Sequence, residues 1–343
     1  MGKKPVTREE NRQVSLSGLI GELCRQYGEA KVRDQLEALK GHGDAVEDPV
    51  LWLCTALSHN FKFMPIEQVS QCPCGSRESN LLCRFVFWNL LGIRQCRNCG
   101  LIYVSPRLTK ETMARVFKEF YFDYSDPEYW GSRRVPIFRD IMRLLRRYKC
   151  KSAFDVGTAF GQFVAWATKA GIHAAGCDIS EKAVLWGRAN LGVNLHHGTI
   201  TEVHLAERSF DSVVSLDTFY YVSDPLAELR AMRRLVRPGG YVILRLRNGL
   251  RTLARARREG NKAIGKSVMP SQHLWAFTPQ TIGHLFQLCN LEILTYEPAS
   301  YSRSPWTPFQ VLNLQANRFL ARLFLKWPIH TQSFNVIAKR NSN

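Results

Sequence analysis

Residues 154–161 read Phe154-Asp155-Val156-Gly157-Thr158-Ala159-Phe160-Gly161, an apolar strand running into a glycine-punctuated turn, with a helix expected from about Gln162. A second short apolar run, Ile172-His173-Ala174-Ala175-Gly176-Cys177, ends on Asp178, 23 positions after Asp155. Glycine lets the backbone turn tightly and approach a ligand. The new helix presents free N–H groups, and a carboxylate on the next strand can accept hydrogen bonds from both hydroxyls of a ribose. The turn alone fits any tight turn, but turn and acid together indicate a nucleotide or nucleoside site.

Outward from this stretch, strands and helices alternate. Strands are expected over 152–156, 173–178, 194–197, 212–216 and 241–246, and helices over 162–170, 181–189 and 225–236. The turn Arg237-Pro238-Gly239-Gly240 precedes the fifth strand, a helix from Thr281 to Cys289 follows it, and 291–296 and 334–338 read as closing strands. This order predicts an α/β fold with a doubly wound, Rossmann-like parallel sheet. Before it, Val135 to Tyr148 reads as a helix with Arg139, Arg143, Arg146 and Arg147 opposite Ile137, Ile141, Leu144 and Leu145, a pattern that fits a solvated basic face.

Further upstream stand Cys72-Pro73-Cys74-Gly75 and Cys96-Arg97-Asn98-Cys99-Gly100. Two close cysteine pairs with trailing glycines suit a tetrahedral four-thiolate zinc site, although the first pair is one residue short of the usual spacing, which leaves a degenerate remnant as the alternative. Cys83, among Leu81, Leu82, Phe85, Phe87 and Trp88, fits a core thiol better than a ligand. Residues 1–65 read as helical without a motif.

The chain has 343 residues, 45% of them hydrophobic, and a formal net charge of +18. That length and composition suit one sizeable α/β core with smaller attachments. The charge points to acidic partners: nucleic acid, a phosphorylated or nucleotide-linked substrate, or an anionic membrane. The start, Met1 to Pro5 and on through Glu10, shows no apolar signal region, and no uncharged run approaches bilayer-spanning length, so a cytoplasmic protein with no transmembrane segment is expected.

The spacing Asp155-x-Gly157-x-x-x-Gly161 resembles the first motif of class I S-adenosylmethionine (SAM) methyltransferases. The cysteine pairs, the segment Cys99 to Arg107 and the tyrosines Tyr121, Tyr124 and Tyr129 are similar to the zinc-ribbon-bearing branch of that class, including ubiquinone-biosynthesis-type enzymes. The resemblance covers roughly residues 70–300. It implies that Asp155, Gly157, Thr158, Ala159 and Gly161 carry the methionine end of SAM and that Asp178 binds its ribose. At Thr199 and Ile200 adenine recognition would rely on a hydroxyl or backbone group, and Ile179, Leu216 and Asp217 are further cofactor-binding candidates. Ala159 stands where the family has a glycine, Thr199 where many relatives have Asp, and Tyr220-Tyr221 where they have Glu-His. Candidate catalytic positions are Tyr220, Tyr221 and His273, the last in a His-Leu-x-x-Phe-Thr-Pro-like element. His273 reads either as a loop-bonding histidine or as a general base or substrate-orienting group.

The expected organisation is a helical extension over 1–65 and a zinc-ribbon-like module with a tyrosine-rich linker over 66–130. A SAM-binding domain follows over 131–300, and an amphipathic helix with a closing strand fills 301–343. Between Arg245 and Lys266 eight basic residues face a single acid, Glu259, at the carboxyl end of the fifth strand. They suit a small or lipid-linked anionic acceptor, with guanidinium groups pairing bidentately with phosphate or carboxylate. RNA methylation and SAM binding without catalysis are the alternatives. Arg318, Arg322 and Lys326 form the basic side of the last helix, which fits peripheral contact with an anionic membrane or packing on its own domain.

Overall fold

The computed structural model describes residues 66–84, 92–115, 117–118, 126–260, 273–300 and 331–341, with residues 25, 28–30, 32–34, 312, 314–316 and 319. Most of the expected N-terminal helical region, Tyr121, Tyr124 and the basic residues of the last helix lie outside this set.

In the cysteine-bearing part, β1 (Ile66–Glu67) pairs antiparallel with β5 (Arg107–Leu108). Strands β2 (Ser79–Arg84), β3 (Gly92–Cys96) and β4 (Ile102–Val104) form an antiparallel sheet. Helices α1 (Lys110–Arg115), α2 (Pro127–Ser132) and α3 (Val135–Arg147) lead to the main sheet.

The alternating segment folds as β6 (Ser152–Val156), α4 (Gln162–Lys169), β7 (His173–Asp178), α5 (Glu181–Leu191), β8 (Asn194–His197), β9 (Phe210–Leu216), α6 (Pro225–Leu235), β10 (Val236–Arg247) and α7 (Gly249–Glu259). There follow β11 (Trp275–Ala276), α8 (Pro279–Leu288), β12 (Leu291–Pro298) and β13 (Ser333–Arg340). Helix starts sit where side chains satisfy the first free N–H groups: Ser180 caps α5, Asp224 caps α6 ahead of Pro225, and Thr278 with Thr281 forms a capping box on α8. Pro238-Gly239-Gly240 shifts the register of β10 between Val236, opposite Phe210, and Tyr241, opposite Ser212.

The seven-stranded sheet has the order β12-β13-β10-β9-β6-β7-β8. Six strands run one way and β13 alone runs against both neighbours. The expectation of a parallel sheet therefore needs one correction. In β13, Phe334, Asn335, Val336, Ile337 and Ala338 are all fully buried. A strand covered on both faces must be interior, so the chain's last strand inserts between β10 and β12 instead of extending an edge.

Alternation along the strands divides the core. Phe154, Val156, Val213, Val242 and Leu244 point to one face; Ala153, Val214, Ile243 and Ile337 point to the other, against Ile137, Ile141, Leu144 and Leu145 of α3. The first layer is continuous with Cys72, Cys96, Leu101 and Tyr103. The link is β11, which adds to the cysteine-bearing sheet as its edge strand, with Trp275 opposite Tyr103 and Ala276 opposite Ile102.

Candidate cofactor and active site

A cavity of about 220 Å³ opens at the carboxyl ends of the parallel strands, where the strand order reverses between β6 and β9. Open α/β sheets bind ligands at this crevice. Each strand end contributes to its wall: Gly157 and Ala159 after β6, Asp178 and Ile179 after β7, Thr199 and Ile200 after β8, Leu216 and Asp217 at β9. Asp155, Thr158 and Gly161 stand behind that wall. Burial pushes the Asp155 carboxyl up to about 7. At Gly161 (φ +80) a Cβ would lie 2.9 Å from Leu195 Cδ1, so its absence lets the loop close onto β8.

Besides Gly161, two more left-handed residues shape the loop. Gly157 has φ +73, and a Cβ there would overlap the side chain of Thr218, whose hydroxyl donates to the Gly157 carbonyl at 3.2 Å. Ala159 has φ +53, so the glycine-like backbone geometry is kept despite the methyl group. Its N–H donates to Asp178 Oδ2 at 2.7 Å, and the Ser180 N–H donates to Oδ1 at 2.9 Å. The carboxylate is thereby aimed before any ligand arrives. Burial raises Asp178 to about 6 against the lowering effect of those two N–H groups. We expect Gly157→Ala to destabilise the protein by about 1–3 kcal/mol through left-handed strain and overlap. Adding Thr218→Gly, which removes the Cβ at 2.7 Å as well as the two atoms beyond it, should restore the overlap part, measured by urea unfolding of both variants; equal losses in the two would mean that Thr218 does not confine the loop.

At the other end, Asp217 (φ +63) accepts from Arg245 Nη1 and lies 3.6 Å from Arg134 Nη1. Arg245 Nη2 also donates to the Ser300 carbonyl at 2.7 Å. Burial opposes ionisation of Asp217, but the two guanidinium groups outweigh it and hold its carboxyl below the usual range. Arg245 must therefore be removed from the expected acceptor-facing basic stretch: it is buried beneath the site. An arginine flanked by Leu244 and Leu246 in the otherwise apolar run Tyr241 to Leu246 was the signal for this, because a buried charge requires a partner. Arg134, Thr218 and Glu228 also line the cavity and were not anticipated; none belongs to a motif.

Of the three candidate catalytic residues, Tyr221 reaches the cavity wall. It meets Phe117 edge-on at 5.0 Å between centroids. Tyr220 and His273 lie behind it, their rings 3.9 Å apart, with His273 also 5.0 Å from Tyr221. His273 is 4% exposed and is held neutral, its pKa lowered to about 3 by burial first and Arg247 second. The Leu274 N–H donates to the Tyr220 carbonyl at 2.9 Å, so this layer ties the loop after β9 to the segment entering β11.

Away from the cavity, the sulfurs of Cys72, Cys74, Cys96 and Cys99 all lie within 4.8 Å of one another. The Cys72–Cys99 and Cys74–Cys96 separations are both 3.6 Å. Four thiolates around zinc at about 2.3 Å would stand roughly 3.8 Å apart, so the set fits that ion. Gly75 (φ +90) and Gly100 (φ +77) make the two turns, donating to the carbonyls of Cys72 and Cys96 at 2.8 and 3.1 Å. The shortened first pair thus still closes a turn around its sulfurs. Among the described residues this is the one such ligand group; the Cys83 side chain lies outside them.

Strand order, the single antiparallel strand and a glycine loop after β6 bonded to an acid at the end of neighbouring β7 define the class I methyltransferase fold. Residues 154–244 match the family described as a methyltransferase domain, as the first motif led us to expect. The chain is 35% identical over 100 residues to a ubiquinone biosynthesis O-methyltransferase of Aromatoleum aromaticum, covering 27% of this chain and 42% of that protein. It is 26% identical over 153 residues to one from Dinoroseobacter shibae, covering 42% of this chain and 61% of that protein. A SAM-dependent methyltransferase structure from Thermotoga maritima matches at 16% identity with a TM-score of 0.45, over 67% of this chain and all of that one. The chain therefore spans about two fifths of the length of the first of these curated relatives.

Proposed function

We propose that the protein is a SAM-dependent methyltransferase whose acceptor is a small or lipid-linked, anionic molecule. The observation that carries this reading is Asp178, buried, pre-aimed by two backbone N–H groups and placed on the wall of the switch-point cavity. In this reading Gly157 and Ala159 border the methionine portion, Asp178 accepts from the ribose hydroxyls, and Ile179 and Ile200 enclose the adenine. SAM supplies an electrophilic methyl group on a good leaving group. What remains for the protein is to hold the acceptor in line, and to remove a proton where the acceptor carries one. Tyr221 is the candidate catalytic residue placed to touch an acceptor; Tyr220 and His273 would act by fixing its ring.

The four cysteines would hold a structural zinc ion. The names of the relatives favour a lipid-linked acceptor. The exposed Arg251, Arg257 and Arg258 of α7, at the carboxyl end of β10, favour an anionic one. No helix of the described residues is long and apolar enough to cross a membrane, and a cytoplasmic location completes the proposal.

Calorimetry with SAM tests the reading. Asp178→Ala should weaken binding by about 1.5–3 kcal/mol through loss of charge-assisted hydrogen bonds. Binding to the wild type should also weaken below about pH 6, as Asp178 takes up its proton, and this dependence should vanish in the variant. Undiminished affinity in Asp178→Ala would remove the residue from the site. Methyl-labelled SAM incubated with the protein and fractionated cell extract then identifies the acceptor class: label in lipid or small acids supports the proposal, and label in RNA overturns it.

A further inference from the structure

Glu228 on α6 is 8% exposed, yet it lines the cavity. Among the described residues its carboxyl makes no hydrogen bond and no ion pair. The charges that bear on it are Asp224 and Glu202, which oppose its ionisation, and Lys110, which favours it. Desolvation is the largest influence and brings its pKa up to about 7. Leaving a carboxyl buried without a partner is costly. A hydrogen-bond donor on a ligand in the cavity would complete such a group. None of the roles assigned above uses it.

The strand order decides which part of a ligand it would meet. From the Gly157 loop at β6, the wall runs through Asp178 at β7 to Gly198, Thr199, Ile200 and Thr201 at β8, while Asp217 lies in the opposite direction at β9. Glu228, on α6, lines the same cavity as these β8 residues. It is influenced by Glu202, whose carboxylate accepts from the Thr199 N–H at 2.9 Å, whereas neither Asp178 nor Asp217 is among the charges that act on it. A nucleoside anchored by its ribose at Asp178 with its remainder toward Asp217 directs its base to this end. That end offers few acceptors: Ile179 and Ile200 are apolar, and the Thr199 hydroxyl is engaged with that of Thr201 at 2.9 Å.

We propose that Glu228 accepts the hydrogen bond of the exocyclic 6-amino group of the cofactor's adenine and so selects an adenosyl over a 6-oxo base. The inference rests on the SAM reading above. Above about pH 7, where Glu228 is ionised, a 6-oxo purine would present an acceptor where the carboxylate requires a donor, placing two oxygen lone pairs face to face, so the comparison is made at pH 8. The adenine amine supplies the partner that the folded protein lacks.

The test compares S-adenosylhomocysteine with its deaminated analogue, S-inosylhomocysteine, by calorimetry on the full chain. Wild type should prefer the adenosyl ligand by roughly 10- to 100-fold, the range of one hydrogen bond to a charged group. In Glu228→Leu the preference should fall to within about 3-fold. Glu228→Gln should lie between, because its amide can accept from one ligand or donate to the other. Removal of an unpartnered buried acid should also raise the melting temperature of the ligand-free Leu variant; should that variant not fold, Glu228→Gln carries the comparison. A variant that binds the adenosyl ligand and discriminates as wild type does overturns this inference and leaves the SAM reading intact. Failure of the wild type to bind either ligand overturns both.

Discussion

Arg245→Met should destabilise the protein by about 3–5 kcal/mol at neutral pH, because it leaves the Asp217 carboxylate buried with only Arg134, at 3.6 Å, to oppose desolvation. The pH dependence gives a sharper test. In wild type the folded-state pKa of Asp217 is depressed, so its stabilising contribution is present above the unfolded value of about 3.9 and is lost only as pH falls further. In the variant burial dominates and the folded-state pKa rises. The carboxyl's contribution is then most favourable below the unfolded value and is lost as pH rises through the new one. The gap between the two proteins should be wide at pH 7 and narrow toward pH 4 in urea unfolding. A loss under 1 kcal/mol at pH 7, or a gap that widens in acid, would show that the pair is not the anchor of this end of the site. Because Arg245 also bonds Ser300 and its strand neighbour β13 lies beside it, cofactor affinity should fall together with stability.

Cys96→Ser should reduce copurifying zinc from about one per chain to nearly none, since three thiolates hold the ion far more weakly than four. The consequence should reach the cofactor. Arg107, at β5 beside the cysteine-bearing sheet, donates to the Ser223 carbonyl at 3.1 Å, and the Trp275 indole donates to the Val222 carbonyl at 2.7 Å. Both acceptors line the cavity. The Val104 N–H, donating to Leu274 at 3.0 Å, and the β4–β11 pairing make the same connection through the backbone. Without metal the sheet should loosen first, seen as early proteolysis within residues 66–108, and SAM affinity should drop by several-fold. Cys150→Ser, which removes a buried thiol behind the other face of the sheet, should leave the metal in place. Zinc-free wild type purified under reducing conditions, with unchanged SAM binding, would refute the proposed metal site.

The main sheet was legible because each of its elements carries a local signal. Continuous apolar runs mark β6, β7 and β9, while capping residues and Pro-Gly-Gly mark where helices start and where β10 begins. The glycine loop was legible for the same reason: the left-handed turns at Gly157 and Gly161 are demands of backbone geometry, and with the acid at Asp178 they fall within a span of 22 residues. The cysteine set, too, announced itself by spacing.

What the sequence by itself determined, then, is whatever depends on neighbours along the chain: the alternating fold, the glycine loop, the position of the acid and the two cysteine turns. Only the tertiary structure decided the reversed strand β13 between β10 and β12, the joining of β11 to the cysteine-bearing sheet, the withdrawal of His273 and Tyr220 behind Tyr221, and the assignment of Arg245 to Asp217 instead of to an acceptor. Each of these brings together residues far apart in sequence, and their burial depends on which faces are left uncovered once the local elements have formed. A basic side chain in a list of charges looks the same whether it will meet solvent or a carboxylate; the packing around it makes the difference.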